Sequence, residues 1–137
     1  PGQLMLVEFI YTSCPTICTA LGDAFAALRN EIVLRGLSQR IRLLSISFDL
    51  ARDGPEALRE YAAIHDADGQ VWTIARPRDE GTLRSLLDAF GVVVVPDGAG
   101  GFVHNAAIHF VDALGQLSAI HDLGEERAVL AKLERAP

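Results

Sequence analysis

Lysine is nearly missing from this chain: Lys132 is alone among twelve cations, the other eleven are arginine, and nowhere do they gather into a basic run. Eighteen acidic residues set against those twelve give a formal charge of −6, so no segment is suited to track a phosphate backbone and nucleic acid is not an expected partner. No apolar stretch approaches eighteen residues, which leaves no candidate for a membrane-spanning helix, and no basic-then-apolar leader is visible. The abrupt opening at Pro1-Gly2, running into apolar residues from Leu4, raises the expectation of an upstream strand, leader or anchor. Cysteine is scarce too. Two residues, Cys14 and Cys18, make neither the multi-bridge framework of a small secreted protein nor four zinc ligands at finger spacing.

What is present reads as an ordinary globular chain. Half of the 137 residues are hydrophobic and about a fifth are charged, far from disordered or fibrous compositions, and the length suits one domain over 1–137 with a core that needs no staples. Residues 4–10 form a short apolar run, interrupted by Glu8, as in a strand covered on both faces. After a turn at 11–15, residues 16–35 carry helical spacing, with Ile17, Leu21, Phe25, Leu28 and Ile32 on one stripe. A second buried strand is expected over 41–48, then a helix opening at Gly54-Pro55 and a brief strand over 71–74. The next helix starts at Asp79 or Thr82 and stops at Gly91. Beyond it, 91–96 reads as a strand, DGAGG at 97–101 as a turn, 102–112 and 117–120 as strands of a second hairpin, and 125–135 as an amphipathic helix. The alternation predicts an α/β fold with a central mixed β-sheet flanked by helices, of the thioredoxin-like kind.

The two cysteines straddle the expected strand-to-helix edge. Spacing of i, i+4 would bring both sulfurs to one side of the first helical turn, where unpaired N–H groups and the helix dipole favour thiolate. Two thiolates suit Cu(I) or zinc, and one added imidazole makes a set that also accepts Cu(II). His104 and His109 follow the Gly-rich turn; five apart on one regular strand, they would face opposite sides, so only one reaches the cysteines. The plainer alternatives are two buried core thiols or an inert bridge for the pair, and a surface or core residue for either histidine.

VEFIYTSCPTIC at 7–18, SISFD at 45–49 and VHNAAIHFVDALGQL at 103–117 together resemble the Sco/SenC family of copper chaperones for cytochrome c oxidase assembly, along nearly the whole chain. That family's pattern is Cys-x-x-x-Cys at the strand-to-helix turn and a distal histidine opening a strand that ends in a Gly-containing hairpin; Cys14, Cys18 and His104, eleven residues before Gly115, occupy those places. The resemblance implies copper, as Cu(I) or Cu(II), held by Cys14, Cys18 and His104. It also implies delivery to an oxidase copper-site subunit or another envelope copper or thiol protein. It places the protein at the cell envelope, on the periplasmic side, with a tether N-terminal to this segment, and a monomer is expected. Three positions depart from the pattern: Val103 and Asn105 flank the histidine where an acidic and a small or hydroxylated residue are usual, and Leu50 replaces the proline after Asp49.

The competing reading is a thiol-disulfide oxidoreductase in which one of Cys14 and Cys18 attacks a client disulfide and the other resolves it. A peroxide-reducing enzyme would want an arginine near Cys14, and none is close in sequence. Among the remaining candidates, Asp49 reads as a ligand-orienting residue or a helix cap, and Glu8 most simply as part of an edge or loosely covered strand, although burial would let it tune the cysteines. His109 reads as a half-exposed strand residue, with a supporting donor or alternative ligand as the sharper possibility. His65 and His121 read as surface partners of Asp66 and Asp122, and Trp72 and Phe90 as core.

Overall fold

A computed structural model describes residues 2–14 and 17–135, with the side chains of Ile17, Cys18 and Arg127 outside that description. The elements run β1 (Leu4–Ile10), α1 (Ile17–Leu34), β2 (Ile41–Ser47), α2 (Pro55–His65), β3 (Trp72–Ala75), α3 (Glu80–Phe90), β4 (Val94–Pro96), β5 (Phe102–His104), β6 (Ala107–Val111), β7 (Leu117–Asp122) and α4 (Glu126–Arg135). A five-stranded sheet has the order β3-β2-β1-β6-β7: β1, β2 and β3 are parallel through helical crossovers, and β6 and β7 join antiparallel. This is the expected mixed, thioredoxin-like arrangement. α3 starts and stops as its sequence dictates. The Asp79 side chain accepts from Thr82 N at its N-cap, and Gly91 closes it at φ 68°, a left-handed conformation that costs glycine nothing.

Register assigns the helices to faces. Leu6, Glu8 and Ile10 pair with Leu43, Ser45 and Ser47, and Leu43 pairs with Trp72, whose ring meets Phe25 of α1 at 5.9 Å, so α1 covers that face. Phe9 points to the opposite face, where Phe90 of α3 lies 5.3 Å away. The core thus fills both sides of β1, the central strand.

Two sequence expectations fail in this frame. Glu8 lies on neither an edge nor a loosely covered strand: it is fully buried in β1, between β2 and β6, where Ser45 Oγ donates to its Oε1 at 2.5 Å and Oε2 has no hydrogen-bond partner. Burial pushes its pKa well above the usual carboxylate range, only partly offset by the Ser45 bond. The second failure is the strand expected over 102–112, which breaks at 105–106 into β5 and β6. These belong to different sheets, β5 pairing only with β4. The alternation argument for His104 and His109 therefore does not apply across the break. His109 is buried rather than half-exposed (1 % accessible): its ring packs edge-on against Phe9 and Phe90, and Nδ1 lies 3.1 Å from Val7 O.

Candidate metal centre

The chain leaves β1 at Ile10 and folds into a tight turn in which Cys14 N–H donates to Tyr11 O at 3.1 Å. Cys14 ends that turn 8 % exposed, just ahead of α1, and Cys18 lies in the helix's first turn. The pair straddles the helix start as the sequence predicts. The expectation that i, i+4 spacing converges the two sulfurs runs through residues 15 and 16 and the Cys18 side chain, and lies outside the described residues.

His104 reaches this turn on a separate arm. In the β4–β5 ribbon Val94 pairs with His104, Val95 with Val103 and Pro96 with Phe102, so Val103 turns outward and Phe102 and His104 share the inner face. That inner face packs on aromatic residues at the ends of β1 and β2. Phe102 lies 5.1 Å from Tyr11 and 5.3 Å from Phe48, and His104 lies 5.0 Å from Phe48 and 6.2 Å from Tyr11. The Tyr11 hydroxyl accepts from Phe102 N at 3.3 Å and donates to Phe102 O at 3.4 Å. Asn105 locks the base of the arm, accepting from Val93 N at 2.9 Å and donating to Gly91 O at 3.3 Å, which gives this departure from the family pattern a structural use.

His104 Nδ1 faces Asn105 O at 3.3 Å; a carbonyl only accepts, so Nδ1 carries the proton and the lone pair is on Nε2. Burial holds the His104 pKa below the ordinary imidazole value, against a smaller opposing effect of the Asn105 bond, which keeps the ring in its neutral, donor form near neutral pH. A cysteine sulfur and a neutral imidazole are donors that a soft or borderline metal takes. Among the described residues no three His, Cys, Asp or Glu side chains gather to hold a metal ion; Cys18, the third predicted donor, has its side chain outside the description.

The other candidates fall away from the site or take different roles. Asp49 is not the cap of α2, whose N-cap is Gly54; it is buried and its Oδ2 accepts from Arg52 Nε at 2.7 Å. His65 pairs with Asp23 rather than Asp66, Nδ1 to Oδ1 being 3.8 Å, and stacks on Tyr61 at 4.4 Å, while His121 meets Glu125 at 3.2 Å rather than Asp122. Trp72 is core, its indole N–H donating to Ser45 Oγ at 2.9 Å. Sequence reading missed Asp53, 1 % exposed, whose carboxylate grips Thr12 from 41 residues away, and also missed the Tyr11, Phe48 and Phe102 platform. The pair of aspartates in SFDLARD, next to a strand end, is the local signal at Asp53, and it says nothing of Thr12, the partner.

Comparison with known proteins agrees with this fold. The family model described as SCO1/SenC matches residues 1–136. The SCO1 protein homolog of Bacillus subtilis is 24 % identical over 118 residues, covering 85 % of this chain and 60 % of that protein; the chain thus spans about three fifths of the curated relative's length. Among solved structures, a SCO1/SenC family lipoprotein from Bacillus anthracis superposes with a TM-score of 0.86 at 19 % identity, covering 98 % of this chain and 81 % of the other. ScoI of Bradyrhizobium japonicum, solved with copper bound, gives a TM-score of 0.81 at 22 % identity, covering 99 % and 86 %. No helix of the described residues is long and apolar enough to cross a membrane.

Proposed function

The chain belongs to the SCO1/SenC family, and from that premise we propose that it is a copper-binding metallochaperone that takes copper as cargo on Cys14, Cys18 and His104 and hands it to a copper-site subunit of a respiratory cytochrome c oxidase. The observation that carries this reading is the meeting of two separate parts of the chain: the arm bearing His104 lies against Tyr11, the residue that opens the turn ending at Cys14. Two thiolates supply what Cu(I) prefers, and the imidazole lets the same set take Cu(II). Each thiol loses its proton on binding, so loading releases protons and weakens as the solution is acidified. The 137 residues act as one thioredoxin-like unit and as a monomer. The similar protein from Bacillus anthracis is a lipoprotein, which supports tethering at the cell envelope; we place this chain on its periplasmic side.

Titration of the reduced protein with Cu(I) and Cu(II), read by absorption and mass, tests this against His104→Ala and Cys14→Ser. Stoichiometric copper with a thiolate charge-transfer band is expected, with the Cu(II) signature lost in both variants. Absence of tight copper, together with a reversible Cys14–Cys18 disulfide, would overturn the reading in favour of thiol-disulfide exchange.

A further inference from the structure

One loop, between β2 and α2, touches both donor-bearing segments. Asp53 is 1 % exposed and belongs to neither neighbouring element. Its Oδ2 accepts from Thr12 N at 2.9 Å and from Ser47 Oγ at 2.5 Å, and its Oδ1 accepts from Thr12 Oγ1 at 2.5 Å. Thr12 is thereby held twice, through its backbone and its side chain, which fixes orientation as well as position. The carboxylate is itself anchored: Asp53 N donates to Asp49 O at 2.9 Å, and Ser47 is the last residue of β2. Thr12 is the second residue of the turn that Tyr11 O and Cys14 N–H close, so holding it sets where Cys14 stands relative to the sheet. Next door, Arg52, held by Asp49, lies 5.7 Å over the ring of Phe102, two residues before His104.

We propose that Asp53 is the positioning residue of the cysteine turn: its carboxylate, bonded to Thr12 N and Oγ1 and to Ser47, holds Cys14 at the place from which it meets the His104 arm. The copper side of this inference rests on the function proposed above; the positioning itself does not. An aspartate that merely satisfies loop donors would contribute to stability alone. Asp68 provides that comparison at the opposite end of the parallel strands, where its Oδ1 accepts from Gln70 N at 2.8 Å, Val71 N at 2.8 Å and Trp72 N at 3.2 Å ahead of β3.

The test compares Asp53→Ala, Asp53→Asn and Asp68→Ala by amide hydrogen exchange of the metal-free protein and by copper titration. Asp53→Ala should speed exchange at the Cys14 amide and weaken copper, each by about tenfold or more, the loss of roughly one good hydrogen bond. Asp53→Asn keeps an oxygen for Thr12 N and Ser47, and a Thr12 hydroxyl that rotates to accept, so both readouts should stay within about threefold of wild type. Asp68→Ala should lower the melting temperature yet leave both readouts in place. Equal Cys14 protection in Asp53→Ala and wild type, or Asp68→Ala moving both readouts as far, overturns the proposal. Should wild type bind no copper, the chaperone reading falls while the exchange comparison still decides the role of Asp53. If Asp53→Ala does not fold, Thr12→Val, which keeps the backbone bond and loses the hydroxyl one, should speed Cys14 exchange in the same direction by a smaller factor, and unchanged exchange there overturns the proposal.

Discussion

Asp53, in the loop after β2, and Glu8, in the middle of β1, are both removed from solvent, and their surroundings treat them in opposite ways. Asp53 meets three donors on its two oxygens and ties together segments 41 residues apart. Glu8 meets one donor, Ser45, leaves Oε2 with no hydrogen-bond partner, and has its pKa pushed up by burial. Where strands end, a carboxylate has free backbone and hydroxyl donors to collect and becomes a clamp. Inside a sheet the backbone donors are already taken by the ladder, so the same chemistry becomes a strained guest.

That contrast is sharpest in its pH dependence. The raised pKa of Glu8 means that the unfolded chain ionises first as pH climbs past 4.5, so this residue's effect on stability is harmless below that value and grows unfavourable toward the folded pKa. Glu8→Gln is expected to raise the urea midpoint at pH 8 and to leave it unchanged at pH 4. A destabilised variant at pH 8 would break the contrast. His109 carries the same logic with reversed sign. Burial holds its pKa below 6.5, against smaller opposing backbone bonds, so its contribution is whole above that pH and drains away as acid protonates the unfolded chain. His109→Phe, packed between Phe9 and Phe90, should cost about 1 kcal/mol at pH 7.5 through the lost contact with Val7 O, and should flatten the decline below pH 6.5 seen by thermal melts. The smallest effect concerns a third carboxylate. Asp68 accepts from three backbone N–H groups and also pairs with the partly exposed Arg29 at 3.3 Å. If backbone donors make the clamp, Arg29→Ala costs less than about 1 kcal/mol by chemical denaturation.

How much of this was legible in the sequence follows the same division. β1 is found at residues 4–10 as expected, and the boundaries of α3 were readable because Asp79 and Gly91 are local signals whose bonds reach three or four residues. The place of Cys14 at a strand-to-helix edge was readable for the same reason. Glu8 was misread because its burial depends on β6, a strand about a hundred residues later that pairs with β1. Asp53 was overlooked because its partner Thr12 lies in another loop, and no periodicity records a bond between loops. His109 was misjudged because one asparagine, Asn105, is a weak local sign that 102–111 divides into two strands; its bonds to Gly91 and Val93, more than ten residues away, reveal the break.

That break keeps two strand registers apart. Were 102–111 one strand, adding or removing a residue near His104 would slip the register of β6 and turn every side chain there to the wrong face, His109 included. Because the ribbon's two strands pair only with each other, a change of length within it leaves the register of the five-stranded sheet in place, while its inner face stays tied to Tyr11 and Phe48 through Phe102 and His104. The arm keeps a register of its own, and this chain's departures from the family pattern at Val103 and Asn105 fall within it or at its root.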